Sequence, residues 1–285
     1  MIKQFLADET HEGWGLARKL WALAMACTWL QRGMHFEERY TDTGAVVVRS
    51  YIPVNDLFYF SPMGGWTVYL VLLSAIVLVY FGRATRMVLA VAIVCHLALN
   101  LTEGLNFKGY DRLFFWQGIC LLVAPGRVEG RQSGLPIARY CVLITYFGLY
   151  GQTGWEKIAN EPTWWEGLPL MYNMVHRNFG DMPLGVMLSD FTSVMVLMSW
   201  TTLVFEAGFP FLWWFKRVRP WLLLTGVGFH IGILVLMNVP NFTTASLALY
   251  PLLLTPDEYA AWRARLRVGW DRLSARIRTA DASVR

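Results

Sequence analysis

Charge is scarce in this sequence: Asp, Glu, Lys and Arg supply only 16% of its 285 residues, against roughly a quarter in soluble domains. So few ions cannot cover a water-facing surface of ordinary polarity, while 55% of the chain is hydrophobic and mean hydropathy is +0.38. The excess apolar surface calls for lipid. Cysteine is also sparse. Cys27, Cys95, Cys120 and Cys141 lie in apolar stretches without the close pairing of a zinc ribbon or redox motif, which argues against a disulfide framework and gives them small apolar packing roles. A phosphate-binding glycine loop, a nucleophile elbow and a metalloprotease helix are all missing. No ligand spacing resembles a zinc or calcium motif, so no metal is expected. The net charge of +5 gathers into no basic groove, and no nucleic-acid partner is expected.

What the chain does have is long apolar runs. A helix needs about 20 apolar residues to cross the hydrocarbon core, and about eight candidates emerge: Gly15–Leu30, Met63–Phe81, Met87–Leu101, Leu113–Ala124, Ile137–Trp155, Thr192–Trp214, Trp221–Met237 and Phe242–Leu254. The fourth and eighth are short. The Leu20–Leu30 stretch follows Arg18 and Lys19 but lacks a small-residue cleavage site, so it reads as a retained span. With both termini cytoplasmic, 18 of the 25 lysines and arginines fall on the inner side, the bias of a positive-inside, eight-span bundle. The expected fold is an all-α polytopic transmembrane bundle, N-in and C-in, with residues 1–255 as one membrane domain and 256–285 as a cytoplasmic tail. A bacterial plasma (inner) membrane suits this topology. Tyr59, Trp66, Trp164 and Trp165 then sit near the outer interface.

The tail opens with Thr255, Pro256, Asp257 and Glu258, a helix-start signal. Trp262, Leu266, Leu273 and Ile277 share one face among arginines, which predicts a basic amphipathic helix on the inner leaflet.

Ionisable residues inside spans are costly and invite a functional reading. His96, Glu206 and His230 lie at similar depth, about 12–14 Å from the inner boundary at 1.5 Å per residue. A contact between Glu206 and a histidine is expected, as a catalytic pair or as a hydrogen-bonded pin between helices; His96 by itself reads as a satisfied buried histidine. In the fifth span, Tyr146, Tyr150, Thr153 and Lys157 follow at spacings of four, three and four, so they share one face. Lys157 ends this stripe at the outer boundary, where a lysine either snorkels to the headgroups or turns inward and acts as a base. The outer acidic and histidine residues, His35, Glu37, Glu38, Asp42, Glu103, Asp111, Glu156, Glu166 and His176, read as a solvated surface.

Two blocks carry a family resemblance. YGQTGWEKIANEPTWWEGLPL, from Tyr150 to Leu170, contains Gly154, Lys157, Ile158, Trp165 and Gly167 in the order and rough spacing of the horizontally transferred transmembrane domain family, to which the vitamin K-dependent gamma-carboxylases belong. The block from Phe205 to Leu254 is similar to the family's acidic residue, basic turn and histidine-bearing helix. The resemblance implies that Lys157 is a catalytic base that deprotonates a reduced isoprenoid quinone, of menaquinol or vitamin K hydroquinone type. By the same resemblance His230 is catalytic or positioning; in the enzyme reading Tyr146, Tyr150, Thr153, His96, Glu206 and Trp165 are expected to line the cavity. It does not extend to carboxylation: Arg112–Gly118 offers no counterpart to the family's carboxylation histidine, and no lumenal domain for a protein substrate follows the last span. The alternative expectation is a non-catalytic membrane factor for maturation or export of a secreted peptide.

Overall fold

The computed structural model describes residues 9–10, 12–41, 60–83, 86–102, 108–124, 127–128, 131–134, 136–178 and 180–283. Asp42, Tyr59 and Glu103 lie outside the described residues, as do the side chains of Leu273 and Ile277. Regular structure is overwhelmingly helical. After the two-residue strand β1 (Glu9–Thr10) come α1 (Gly13–Gly33), α2 (Phe36–Tyr40), α3 (Pro62–Tyr80), α4 (Arg86–Thr102) and α5 (Gly109–Val123). Short strands β2 (Arg127–Val128) and β3 (Arg131–Gly134) follow, and the three pair antiparallel in the order β1-β3-β2. The rest is α6 (Pro136–Phe147), α7 (Thr153–Asn160), α8 (Leu168–Val175), α9 (Pro183–Ser189), α10 (Thr192–Leu212), α11 (Arg219–Leu236), α12 (Pro240–Leu247) and α13 (Pro256–Ser283).

Among the described residues three helices, α3, α10 and α11, are long and apolar enough to cross a membrane, and α4 is a shorter apolar helix. The helix α1 is as long as α10 but carries Arg18, Lys19 and Arg32. It is also a central element: Trp14, Trp21 and Trp29 fall on one face and are all fully buried. The short fourth candidate lies in α5, whose 15 residues span about 22 Å.

The eighth candidate, Phe242–Leu254, is not one helix. It divides into α12 and a 3-10 turn, Tyr250–Leu253, because Pro251 offers no amide hydrogen to continue an α-helical ladder. The fifth, Ile137–Trp155, does run through, but α6 and α7 are joined by a π turn at Gly148–Gln152. Such an insertion adds a residue to one turn and re-aims the side chains after it. The cysteines are free thiols; Cys120 is buried and Cys95 and Cys141 are half-buried, but Cys27 is exposed and does not take the packing role expected of it.

At the start of α13 a reciprocal cap forms. Glu258 accepts from the Thr255 amide at 2.9 Å, and the Glu258 amide donates to Thr255 Oγ1 at 3.3 Å. Arg219 at the start of α11 donates to both Glu258 oxygens, at 2.8 and 2.7 Å. Burial pushes the Glu258 carboxyl up, but the hydrogen bonds from Thr255 and Arg219 outweigh it and hold the group below the ordinary carboxylate value. A second ion pair, Arg263 with Glu12, ties α13 to the start of α1.

Candidate functional site

Lipid supplies no hydrophobic drive between helices, so close crossings depend on small residues and polar contacts. Gly154 on α7 makes one such crossing against α10: an added Cβ would meet the Ala207 amide nitrogen and lie 2.8 Å from both C and Cβ of Glu206. One turn further along α7, Lys157 therefore reaches Glu206, with Nζ 2.5 Å from Oε2. The side chains are 19% and 9% exposed, so the lysine turns inward. Thr153 Oγ1 lies 3.4 Å from the same carboxylate oxygen and also donates to the Leu149 carbonyl at 2.6 Å.

A third element closes over the pair. The Trp164 ring centroid lies 4.5 Å from Lys157 Nζ, a cation–π contact. Trp164 is fixed by its indole N–H to Glu161 at 2.6 Å, and its carbonyl accepts from Ser199 at 2.5 Å. Gly167, in the left-handed region at φ 76°, ends the turn that carries it, and its close approach to the Met195 and Val196 backbone would exclude a side chain.

Beside this pair runs a chain of buried hydroxyls. Tyr150 Oη sits 2.7 Å from His230 Nε2 and 2.6 Å from Tyr250 Oη. Gly226 leaves room for the Tyr250 hydroxyl, which an added Cβ would strike. Tyr146 donates to the Ser246 carbonyl at 2.6 Å and receives from Gln117 at 3.3 Å. His230 is fully buried, and its Nδ1 has no protein partner among the described residues, which marks it as an unmet polar atom in an aromatic surrounding. A groove of about 500 Å³ between α10 and α11 is lined by Thr202 and by Phe205 and Phe229, the sequence neighbours of Glu206 and His230, which do not themselves line it.

The structure thus gathers Lys157, Glu206 and Thr153 in one group and Tyr150, Tyr250 and His230 in the next. Three expectations are corrected. Glu206 pairs with Lys157 and not with a histidine, because the Gly154 crossing brings Lys157 to it first. Trp165 is half exposed and turns to Trp200 instead, with ring centroids 5.8 Å apart; its neighbour Trp164 covers the lysine. His96 belongs to a different cluster, where it is bonded to Trp29 at 3.0 Å and to the Asp111 carbonyl at 3.0 Å.

That cluster also removes Asp111 from the solvated surface. Its carboxylate is fully buried and pairs with Arg32 at 2.8 Å, while Arg32 also donates to Asn100 at 3.0 Å. The other described members of the acidic set, Glu37, Glu38, Glu156 and Glu166, are exposed. Sequence reasoning missed Trp164, Tyr250 and the Arg32–Asp111 pair. The available signal for the last was two opposite charges next to apolar runs at the same expected depth. No protein-family model matches the chain, nor does any curated protein or solved structure.

Proposed function

We propose that this chain is a multi-pass protein of a bacterial plasma membrane, with about eight crossings and both termini cytoplasmic, and that it acts on a reduced isoprenoid quinone. The observation that carries this reading is the inward-turned Lys157–Glu206 pair. Transfer of the ammonium proton to the carboxylate would leave the amine lone pair free to take a proton from a quinol hydroxyl. Trp164 packs over the lysine, and the 500 Å³ groove between α10 and α11, whose wall includes Phe205 next to Glu206, would seat an isoprenoid chain beside the pair. His230, with its unmet Nδ1, suits a positioning role. Molecular oxygen is the oxidant: two-electron oxidation of the quinol gives the quinone and hydrogen peroxide, and epoxidation gives the quinone epoxide and one water; carboxylation forms no part of the proposal.

The test incubates purified protein with menaquinol or vitamin K hydroquinone under oxygen, beside Lys157→Ala and Glu206→Gln, and follows products by mass spectrometry. Expected is a product lost in Lys157→Ala and reduced in Glu206→Gln by about 10²-fold or more, the usual worth of a general base. No lysine-dependent product from any quinol tested would sink the enzyme reading. One observation favours the second reading, a non-catalytic factor for maturation or export of a secreted peptide: the pair is closed and sits at the α7–α10 crossing, as a packing pin would. A Lys157→Met/Glu206→Leu double variant that retains full export of the peptide would favour that alternative.

A further inference from the structure

A second cleft lies at the other end of the bundle, between the start of α1, the start of α11, the Tyr250–Leu253 turn and α13. It measures about 440 Å³ and is walled by Leu16, Leu223, Val227, Leu247, Trp262 and Leu266. The gap is far larger than one water needs, and an apolar cavity does not hold water well. Nothing in the described chain fills it. Its α13 wall is formed at helical spacing by Tyr259, Trp262, Arg263 and Leu266, so the apolar side of the tail helix faces the bundle across a space. Trp262 and Leu266 remain 47% and 57% exposed.

The charge at the rim decides the occupant. Arg263 lines the cleft, and Arg267 stands one helical turn beyond it. Arg263 already meets Glu12, but a guanidinium has five N–H donors and can serve a carboxylate and a phosphate together. Basic residues near a membrane surface select anionic lipid. We propose that this cleft binds one anionic phospholipid, with acyl chain between α11 and α13 and phosphate at Arg263 and Arg267, so that the lipid completes the packing of the tail helix on the bundle. The site stands on the membrane reading of the chain; neither Lys157 nor Glu206 lines it, although Tyr250, which meets Tyr150, forms part of its wall.

The experiment places the full chain in phosphatidylcholine nanodiscs containing an equal minor fraction of chain-brominated phosphatidylglycerol or chain-brominated phosphatidylcholine. The Trp262 fluorescence component is obtained by difference from Trp262→Phe. The expected result is quenching about fivefold more effective per mole of brominated phosphatidylglycerol, with the preference lost in Arg263→Gln/Arg267→Gln. A cleft-filling Val227→Phe variant should cut quenching by either lipid. Equal quenching by the two lipids in the unaltered chain overturns the proposal and leaves Trp262 bathed by bulk lipid. A preference that survives the paired arginine exchange overturns it as well. The comparison of the two lipids needs only the conservative Trp262→Phe reference, so poor folding of Val227→Phe cannot rescue the idea.

Discussion

Arg32 and Asp111 face each other in the interior, 79 residues apart in sequence. The carboxylate does two jobs: besides its 2.8 Å contact with Arg32, Oδ2 accepts from the Lys108 amide at 3.0 Å and so caps the start of α5. The guanidinium lies 5.0 Å from the Trp29 ring centroid and donates to the Tyr110 hydroxyl at 3.3 Å. Removing one partner of such a pair strands a buried charge, at a cost of about 3–5 kcal/mol, whereas replacing both with apolar residues of similar volume is often neutral. Asp111→Leu should therefore lower the unfolding temperature in detergent sharply, and Arg32→Met/Asp111→Leu should recover most of it. A single variant that melts with the unaltered protein would show that the pair does not hold α1 to α5. In sequence each residue stands at the edge of an apolar run, where charge ordinarily marks the emergence into water. Only the packing of α1 against α5 distinguishes a buried pair from two solvated ends, and residue spacing carries no trace of that packing. His96 was legible because a lone histidine in an apolar run must find partners, and it does so through Trp29 and the Asp111 carbonyl.

Among the helices, the stripe Tyr146, Tyr150, Thr153 and Lys157 was legible from spacing, and all four side chains make polar contacts within the bundle. The π turn at Gly148–Gln152 was not, since one extra residue in a turn leaves the hydrophobic pattern nearly unchanged over so short a stretch. Its Gly151 faces Pro210 of α10, and an added Cβ would lie 2.7 Å from the Pro210 Cγ. Two glycines three residues apart thus set the distance between α6–α7 and α10. At Gly154 the obstructing atoms include the backbone of Ala207 and Glu206, which cannot rotate aside as a side chain would. Gly154→Ala should cost about 1–3 kcal/mol by overpacking. The same variant should move Lys157 from Glu206, so that the quinol turnover proposed for the pair would be lost although both residues remain. A Gly154→Ala protein with unaltered melting would mean that α7 and α10 do not cross this closely.

At the scale of the molecule, three helices among the described residues satisfy length and composition for crossing, and the remaining expected spans depart from the simple pattern for separate reasons. The helix α1 carries Arg18, Lys19 and Arg32, α4 and α5 are short, α6 and α7 are joined through the π turn, and the last segment is split at Tyr250–Leu253. The side assignment consequently depends on charge bias more than on helix length. It makes a prediction at two positions: Arg177, just after α8, and Arg265, within α13, should lie on opposite faces with three crossings between them. In a background without native cysteines, Arg177→Cys should react with a membrane-impermeant maleimide on intact cells, and Arg265→Cys only after permeabilisation. The reverse pattern would invert the bundle and place Lys157 toward the cytoplasm. Labelling of both from one side would require an even number of crossings between them, and the split α12 segment, eight α-helical residues followed by a 3-10 turn, would be the first to lose its place as a span.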